Sequence, residues 1–518
     1  MSIEPSISTA TAPPTAPAPG VPSARRRREI GAVAGLTVLL FVCYAGYSIS
    51  RYATYLTAGY DLGIFDQAVR AYAHLKAPIV PLKGANYDVL GDHFHPIIAL
   101  IAPLYWIWNS PCVLLIVQAA LAAGTVPIVY RFTRRRTGPS VAFVVCAAFG
   151  AGWAIQAMQD FDFHEIAFAL PLLAWAIDAL DRRADRQLLL SCALLLLVRE
   201  DMGVLVVGLG LIRLAPTLRR APERRSAASR WPGIVLVVAG TAGYVLATSV
   251  IIPAFAQDNQ FTYWQYDELG PNLPAAVGHL LTHPWDAMRY LVSPTIKAQS
   301  LAYLLVPLAV LLPLRSRYAW LALPLLAERF YASRELLWST HYHYSALPWL
   351  VLLLAMVDGG ARLGVFSNPR ARRTLTAWLL IVPIWLTAFD QTVPSDARRM
   401  IDGDAFRITA HTRAQQALVA ALPDDVCVAV DDHLAPHLTR RDYVTLADQQ
   451  PDTADFVALD LSYLSIGGNN GPSPAAVLAE VRAEGYRVTF QQDALVLLES
   501  PTYDGPSGAC GPFGSGHW

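Results

Sequence analysis

Long apolar runs separated by short polar stretches fill the chain from residue 30 to about residue 392. A helix crossing a bilayer needs about 20 apolar residues, or about 17 at the short limit. The run 30–48 follows Arg25–Arg28 and is longer than the roughly 7–15-residue core of a secretory signal. It is read as a first span that stays attached. Further spans are expected at 112–131, 139–158, 165–181, 232–253, 297–314, 317–331, 343–358 and 374–392. Residues 96–109 are short and rich in Pro and Trp, and are expected to lie in the membrane interface without crossing. The run 187–214 is interrupted by Arg199, Glu200 and Asp201. It is expected to form a hairpin of two half-length helices.

From about residue 393 the apolar runs shorten and charge density rises. Strands are expected at 426–430, 455–461 and 494–500, with AAVLAEVRAEGY between the last two carrying helical spacing and a Gly stop. GGNNGP at 467–472 lacks a nucleotide-loop context and reads as a loop. The expected architecture is an α-helical polytopic membrane protein with a small extracytoplasmic α/β domain at the C-terminus. Its parts are a disordered tail at 1–24, a multi-spanning domain at 25–392 with a large first outside loop at 50–95, the α/β domain at 393–505, and a flexible tail at 506–518.

The positive-inside rule orients this arrangement. With Arg25–Arg28 in the cytoplasm, the Arg-rich stretches 131–136, 182–186, 213–230, 315–317 and 362–373 all fall inside. The acidic and His-containing loops and the C-terminal domain then fall outside a bacterial plasma membrane.

Composition agrees. The chain of 518 residues is 54% hydrophobic and 15% charged with zero formal net charge, against about 25% charged residues in soluble domains. A soluble enzyme and a nucleic-acid-binding module are excluded, and no bulk field draws polyanions. Lys76, Lys83 and Lys297 are the only lysines. The six cysteines form no CxxC pair, so no zinc or redox motif is present. Cys43, Cys112, Cys146 and Cys192 fall in apolar runs, whereas Cys427 and Cys510 can pair in an oxidising compartment.

Candidate chemistry concentrates in the outside loops. The first contains Asp61 and Asp66 in YDLGIFDQAVRAYAHL, then Asp92, His93 and His95 in GDHFHP. The second, QDFDFHE, holds Asp160, Asp162, His164 and Glu165. Carboxylates at such positions serve as general bases or hold a divalent cation. The bland alternatives are a solvated amphipathic helix for the first loop and a helix cap at Asp162 and Glu165 for the second. Arg199 offers a bidentate fork for phosphate, or an internal pair with Asp201 that fixes the hairpin. Aromatic and polar loops at 257–272 and 328–344 bring Arg329, Arg334, His341 and His343 within the same reading, although Trp and Tyr also anchor interfaces.

YDLGIFDQAVRAYAHLKAPI, GDHFHPIIALIAPLYWIW, FDFHEIAFALPLLAWA, the VRED break and DDHLAPHL at 431–438 resemble an uncharacterised bacterial family of predicted multi-spanning membrane proteins. More distantly, the layout resembles the GT-C superfamily of polyprenyl-phosphate-sugar-dependent glycosyltransferases. FDQAVRAYAHL is similar to the stretch where protein mannosyltransferase relatives carry an Asp-Glu pair before a helix. That resemblance puts Asp66 in the key position, as base or metal ligand, and Gln67 where the second acid would stand, with Asp61 as its substitute. It implies a membrane glycosyltransferase using a lipid-phosphate-linked sugar donor and a cell-envelope glycan, lipid or protein acceptor. Asp61 and Asp66 are then catalytic. Arg199, Glu200, Asp201, His93, His95, Arg329, His341 and His343 contact substrate. Asp66, Asp162, His164 and Glu165 hold a divalent cation, Mg or Mn. The alternatives are a transporter or flippase for a lipid-linked or anionic substrate, with its site at the Arg199 break, and a noncatalytic envelope scaffold.

Overall fold

The computed structural model describes residues 24–218, 230–261, 264–390, 392–467, 471–506 and 510. Residues 1–23 of the tail expected at 1–24, most of the stretch 213–230 and of the tail 506–518, and the centre of GGNNGP lie outside them. Among the described residues five helices are long and apolar enough to cross a membrane: Ala24–Ala53, Cys112–Thr137, Pro139–Asp160, Trp231–Phe255 and His343–Arg362. The last runs through the middle of the bundle, with 89% of its apolar window buried, and Trp349 fully enclosed. Ala24–Ala53 and Trp231–Phe255 lie at the periphery, with 22% and 17% buried. Val38, Leu39, Val42, Val238 and Val245 stay exposed on them. A soluble protein does not leave such continuous apolar faces uncovered; lipid covers them without penalty.

Close helix contacts rest on small residues. A Cβ on Gly203 would stand 2.6 Å from the Gly240 carbonyl, and one on Gly210 2.8 Å from that of Gly233. These pairs let Met202–Leu218 pack directly on Trp231–Leu246, the arrangement that replaces hydrophobic drive between helices in lipid. Gly152 likewise makes room for the Trp349 indole, 2.6 Å from where its Cβ would be.

Several expected spans are broken. The run 297–314 is helical only over Thr295–Leu305 and then turns at Ala309 and Val310, both at positive φ. Pro307 and Pro313 bracket that turn, and each lacks the N–H that a continuing helix requires. Over 317–331 a 3₁₀ turn, Arg317–Leu321, precedes the short helix Ala322–Phe330. The run 165–181 opens with the 3₁₀ turn Glu165–Phe168 before Ala169–Arg182. The hairpin at 187–214 forms, as Asp185–Leu195 and Met202–Leu218. Pro96–Tyr105 is an apolar helix shorter than a span, with Trp106, Ile107 and Trp108 exposed beyond it.

The Arg-rich stretches 131–136, 182–186, 315–317 and 362–373 gather at one end of the bundle. Asp178 meets Arg131, Arg135 and Arg182; Asp181 meets Arg135, Arg136 and the Tyr318 hydroxyl; Asp358 meets Arg136, Arg362 and the Ser316 hydroxyl. The C-terminal domain sits at the opposite end. It holds a five-stranded sheet of order β2-β1-β3-β5-β4, with β1 Cys427–Val430, β2 Tyr443–Leu446, β3 Phe456–Asp460, β4 Arg487–Gln492 and β5 Leu495–Glu499. β1 is parallel to β2 and β3, and β5 is antiparallel to β3 and β4. β1, β3 and β5 are the strands expected from sequence, and the helix Pro474–Ala483 is the expected one. Cys427 and Cys510 are joined by a disulfide.

This domain docks on the first loop. The Gly59 N–H donates to the Asp432 carbonyl at 2.7 Å, the Tyr60 N–H to the Asp432 carboxylate at 2.7 Å, and Gln67 Nε2 to the Val444 carbonyl at 3.0 Å. Gly59 is required there, since a Cβ would lie 2.7 Å from that of Ala435. The first loop and the C-terminal domain therefore share one end of the bundle.

Candidate functional site

The first loop builds its part of the site from a π-turn, Gly59–Gly63, that runs into the helix Ile64–Ala73. The two acids of this segment have opposite fates. Asp61 lies on the turn, 22% exposed at its side chain, with His164 Nε2 3.3 Å from its carboxylate. Asp66 follows Phe65, and successive helix residues diverge by about 100°. Phe65 packs toward His95, Phe163 and His164, with ring centroids 5.2–5.6 Å apart. Asp66 points away from them. It accepts from Arg70 at 2.6 Å, one helical turn on, and from the Tyr105 hydroxyl at 2.7 Å. Asp66 and Arg70 are both 0% exposed. Asp66 is thus a dry, fully partnered carboxylate, and not the acid that opens toward Asp162 or His164.

Around Asp61 several segments converge. The His164 ring stacks on His343 at 4.0 Å and on Phe161 at 4.8 Å. Next along the chain, Glu165 lies 3.5 Å from Arg199. Arg199 donates its Nε and Nη2 to Asp201 at 2.7 and 2.8 Å and lies 3.6 Å from Glu328. His93 contacts Glu200 at 2.7 Å, and the Phe94 N–H donates to the other Glu200 oxygen at 3.0 Å. Asp92 pairs with Lys83. Asp162 accepts from Arg51 at 2.7 Å and from the Ala58 N–H at 2.6 Å. Asp160 meets Tyr47 and Arg399.

Burial sets the electrostatics of the loop groups. It pushes the Asp162 carboxyl up to about 6 against the pull of Arg51. It works against charge on His164, but the Asp61 carboxylate outweighs it and raises that ring. Burial likewise opposes charge on His93, yet Glu200 lifts it to about 9. His95 has no bonded carboxylate, and burial lowers it.

Four cationic or ring groups here have polar atoms without a hydrogen-bond partner among the described residues. They are Arg329 Nη1, both ring nitrogens of His343, His95 Nδ1 and His164 Nδ1. Arg329 is otherwise held by the Leu337 carbonyl at 2.7 Å and the Ser339 carbonyl at 3.4 Å. Arg329, His343 and His95 are buried. His341 is exposed and stays out of the cluster.

Two expectations change with this geometry. Asp66, Asp162, His164 and Glu165 do not form a metal site: they are engaged with Arg70, Arg51, Asp61 and Arg199 respectively. No group of three or more His, Cys, Asp and Glu among the described residues is placed to hold a metal ion. Arg199 does not present an open fork, because Asp201 occupies it. Glu328 and Arg51 were not singled out by sequence. Each follows an apolar run, the signal that marks a charge at the membrane boundary.

The fold and site define a multi-spanning membrane protein with a buried polar centre beneath a C-terminal sheet domain. Residues 51–497 match the family described as "Predicted membrane protein (DUF2079)", and the chain belongs to that family. No curated protein matches it in sequence. Among solved structures it is similar to ArnT from Cupriavidus metallidurans bound to undecaprenyl phosphate, at 14% identity over 89% of this chain and 97% of that one, with a TM-score of 0.48. The apo form of that ArnT gives 13% identity over 92% and 98%, with the same TM-score of 0.48. The Archaeoglobus fulgidus oligosaccharyltransferase in complex with Zn and sulfate gives 11% identity over 82% and 68%, with a TM-score of 0.40. At these scores the likeness carries no residue role to this chain.

Proposed function

We propose that the protein is a membrane glycosyltransferase that takes a sugar from a polyprenyl-phosphate donor on the outer face of a bacterial plasma membrane. The observation that carries this reading is the polar centre in which His164 pairs with the partly exposed Asp61 and stacks on His343, whose ring nitrogens, like Arg329 Nη1 and His95 Nδ1, have no hydrogen-bond partner among the described residues. Unsatisfied buried donors are expensive, about 1–3 kcal/mol each. A site that keeps several of them is built for a ligand that completes them, and a lipid phosphate does so. The outward orientation follows from the Arg-rich stretches meeting at the other end of the bundle.

In the reaction, the acceptor oxygen attacks the anomeric carbon and the bond from that carbon to the phosphate oxygen breaks. The acceptor proton passes to the Asp61 carboxylate, which His164 orients. The electron pair leaves on the lipid phosphate, where Arg329 offsets the charge and the His343 ring donates a hydrogen bond. Asp66 fixes the loop helix and takes no part. The transporter reading gains nothing from the Arg199 break, because Glu165, Asp201 and Glu328 take up that guanidinium.

The test uses the purified chain in lipid nanodiscs with a panel of synthetic polyprenyl-phosphate sugars, reading release of polyprenyl phosphate. Asp61→Asn is expected to lower the rate by roughly 10²–10⁴-fold. Release by no donor, or an Asp61→Asn protein as fast as wild type, overturns the assignment.

A further inference from the structure

The C-terminal domain has a cavity of about 330 Å³ lined by residues 431–433 and 462–465. Its position follows from the topology. After β1 the chain crosses to β2 on one side, and it later returns to β3 on the other. The carboxyl ends of β1 and β3 therefore splay apart at a switch point, the place where open parallel sheets bind ligands. Residues 431–433 directly follow β1, and 462–465 lie just past β3.

The lining selects a ligand class. The Tyr463 ring stacks on His433 at 4.3 Å and 18°, giving a flat apolar wall. Leu464 stands at the lip, 93% exposed. Asp431 and Asp432 form the floor, and Asp460, which bonds the Ser462 hydroxyl at 2.6 Å, lies behind it. Asp431 is fixed by the N–H groups of His433 at 2.9 Å, Leu434 at 3.2 Å and Asp460 at 2.8 Å. Burial, with Asp460 adding to it, pushes Asp431 up to about 8, and burial pushes Asp432 up to about 7. Carboxyls with such values donate as well as accept near neutral pH. Such a floor offers no positive charge to an anion, whereas a flat ring opposite hydroxyl-binding carboxyls suits the two faces of a sugar.

The cavity is also wired to the candidate active site. The Tyr60 N–H bonds the Asp432 carboxylate at 2.7 Å, and His433 Nδ1 lies 3.1 Å from the Thr57 carbonyl. Asp61 is the next residue after Tyr60.

We propose that this cavity is a binding site for a neutral, hydroxyl-rich carbohydrate, stacked on Tyr463 and hydrogen-bonded by Asp431 and Asp432. Its role as the acceptor subsite rests on the glycosyltransferase reading: a sugar held there lies beside the turn that carries the base.

Saturation-transfer NMR on the full chain in nanodiscs, without donor, tests it. The probes are glucose, galactose, mannose and N-acetylglucosamine, with glucuronate and glucose 6-phosphate as anionic counterparts. At least one neutral sugar is expected to bind, and Tyr463→Ala to weaken it by roughly tenfold. Tyr463→Phe is expected to retain binding. Ser462→Trp, which fills the mouth from an exposed position, is expected to lose binding even if Tyr463→Ala proves unstable. Binding by no neutral sugar, equal binding by the anionic probes, or binding unchanged in Tyr463→Ala and Ser462→Trp overturns the proposal. The two readings fail separately. Sugar binding without phosphate release leaves the cavity assigned and the transferase reading lost. Asp61-dependent release without sugar binding does the reverse.

Discussion

The two ends of the helical bundle use charge in opposite ways. At the Arg-rich end the carboxylates are saturated, although Arg317 Nε stays without a partner among the described residues: Asp178 faces three arginines, and Asp181 and Asp358 each combine two arginines with a hydroxyl. At the loop end Asp61 stays partly exposed, while Arg329, His343 and His95 keep nitrogens without partners. A closed network minimises the free energy of the chain alone. An open one does not, and its deficit is relieved only when something binds. The contrast separates charges that hold the fold from charges that await a ligand, and it also sorts the two acids of the first loop. Asp66 belongs to the closed kind and Asp61 to the open kind, although five residues separate them.

The largest stability effect is expected at the closed end. Asp178→Ala leaves Arg131, Arg135 and Arg182 without their shared carboxylate, and because these arginines are 28–49% exposed the cost falls below that of a fully buried pair, at about 2–3 kcal/mol. Thermal unfolding in detergent should show a large drop. A drop of similar size in Asp61→Asn, whose carboxylate is partly exposed, would erase the distinction between the two ends; that variant is expected within about 1 kcal/mol of wild type.

A smaller effect, of opposite sign, is expected at the open end. His343→Phe keeps a ring against His164 and Phe161 but removes two buried nitrogens that lack partners. Removing that penalty should raise stability by about 1 kcal/mol, while polyprenyl phosphate release falls. Loss of both stability and release would place His343 among the structural groups.

Sequence spacing made the open end partly legible. GDHFHP, QDFDFHE and the Arg199 break each put ionisable groups where a membrane boundary makes them costly, and the fold links them in a chain: His164 contacts Asp61, Glu165 contacts Arg199, and Glu200 contacts His93. Spacing did not separate Asp61 from Asp66, because the outcome depends on Tyr105 and Arg70 closing over one of them. Nor does spacing show that Arg51 and Arg199, contributed by other elements, reach Asp162 and Glu165. In the C-terminal domain, β1, β3 and β5 announce themselves as apolar runs because they are buried. β4 is exposed along nearly its whole length, and its RVTFQQ carries no apolar signal. β2 is four residues long and masked by the charged segment before it. The spans 297–314 and 317–331 look continuous by hydropathy, which does not register what Pro307 and Pro313 do to the backbone.

The mildest test concerns His93, which links the first loop to the hairpin tip through Glu200. Its folded-state value, about 9, lies above the ordinary imidazole value of 6.5 because the Glu200 carboxylate outweighs the effect of burial. A group raised in this way adds stability that is fully present below the unfolded value. That stability is lost as pH rises through the folded one. Thermal stability should therefore fall between about pH 6.5 and pH 9 on account of this pair. The fall should be about 1 kcal/mol or less, because the ring remains 28% exposed to solvent screening. Glu200→Gln removes the carboxylate that raises His93 while preserving a hydrogen-bond acceptor. It should lower stability at pH 6 and flatten the slope above it. A slope unchanged by Glu200→Gln would mean that other groups of the open end titrate in that window, and that the His93–Glu200 contact is as closed as those around Asp178.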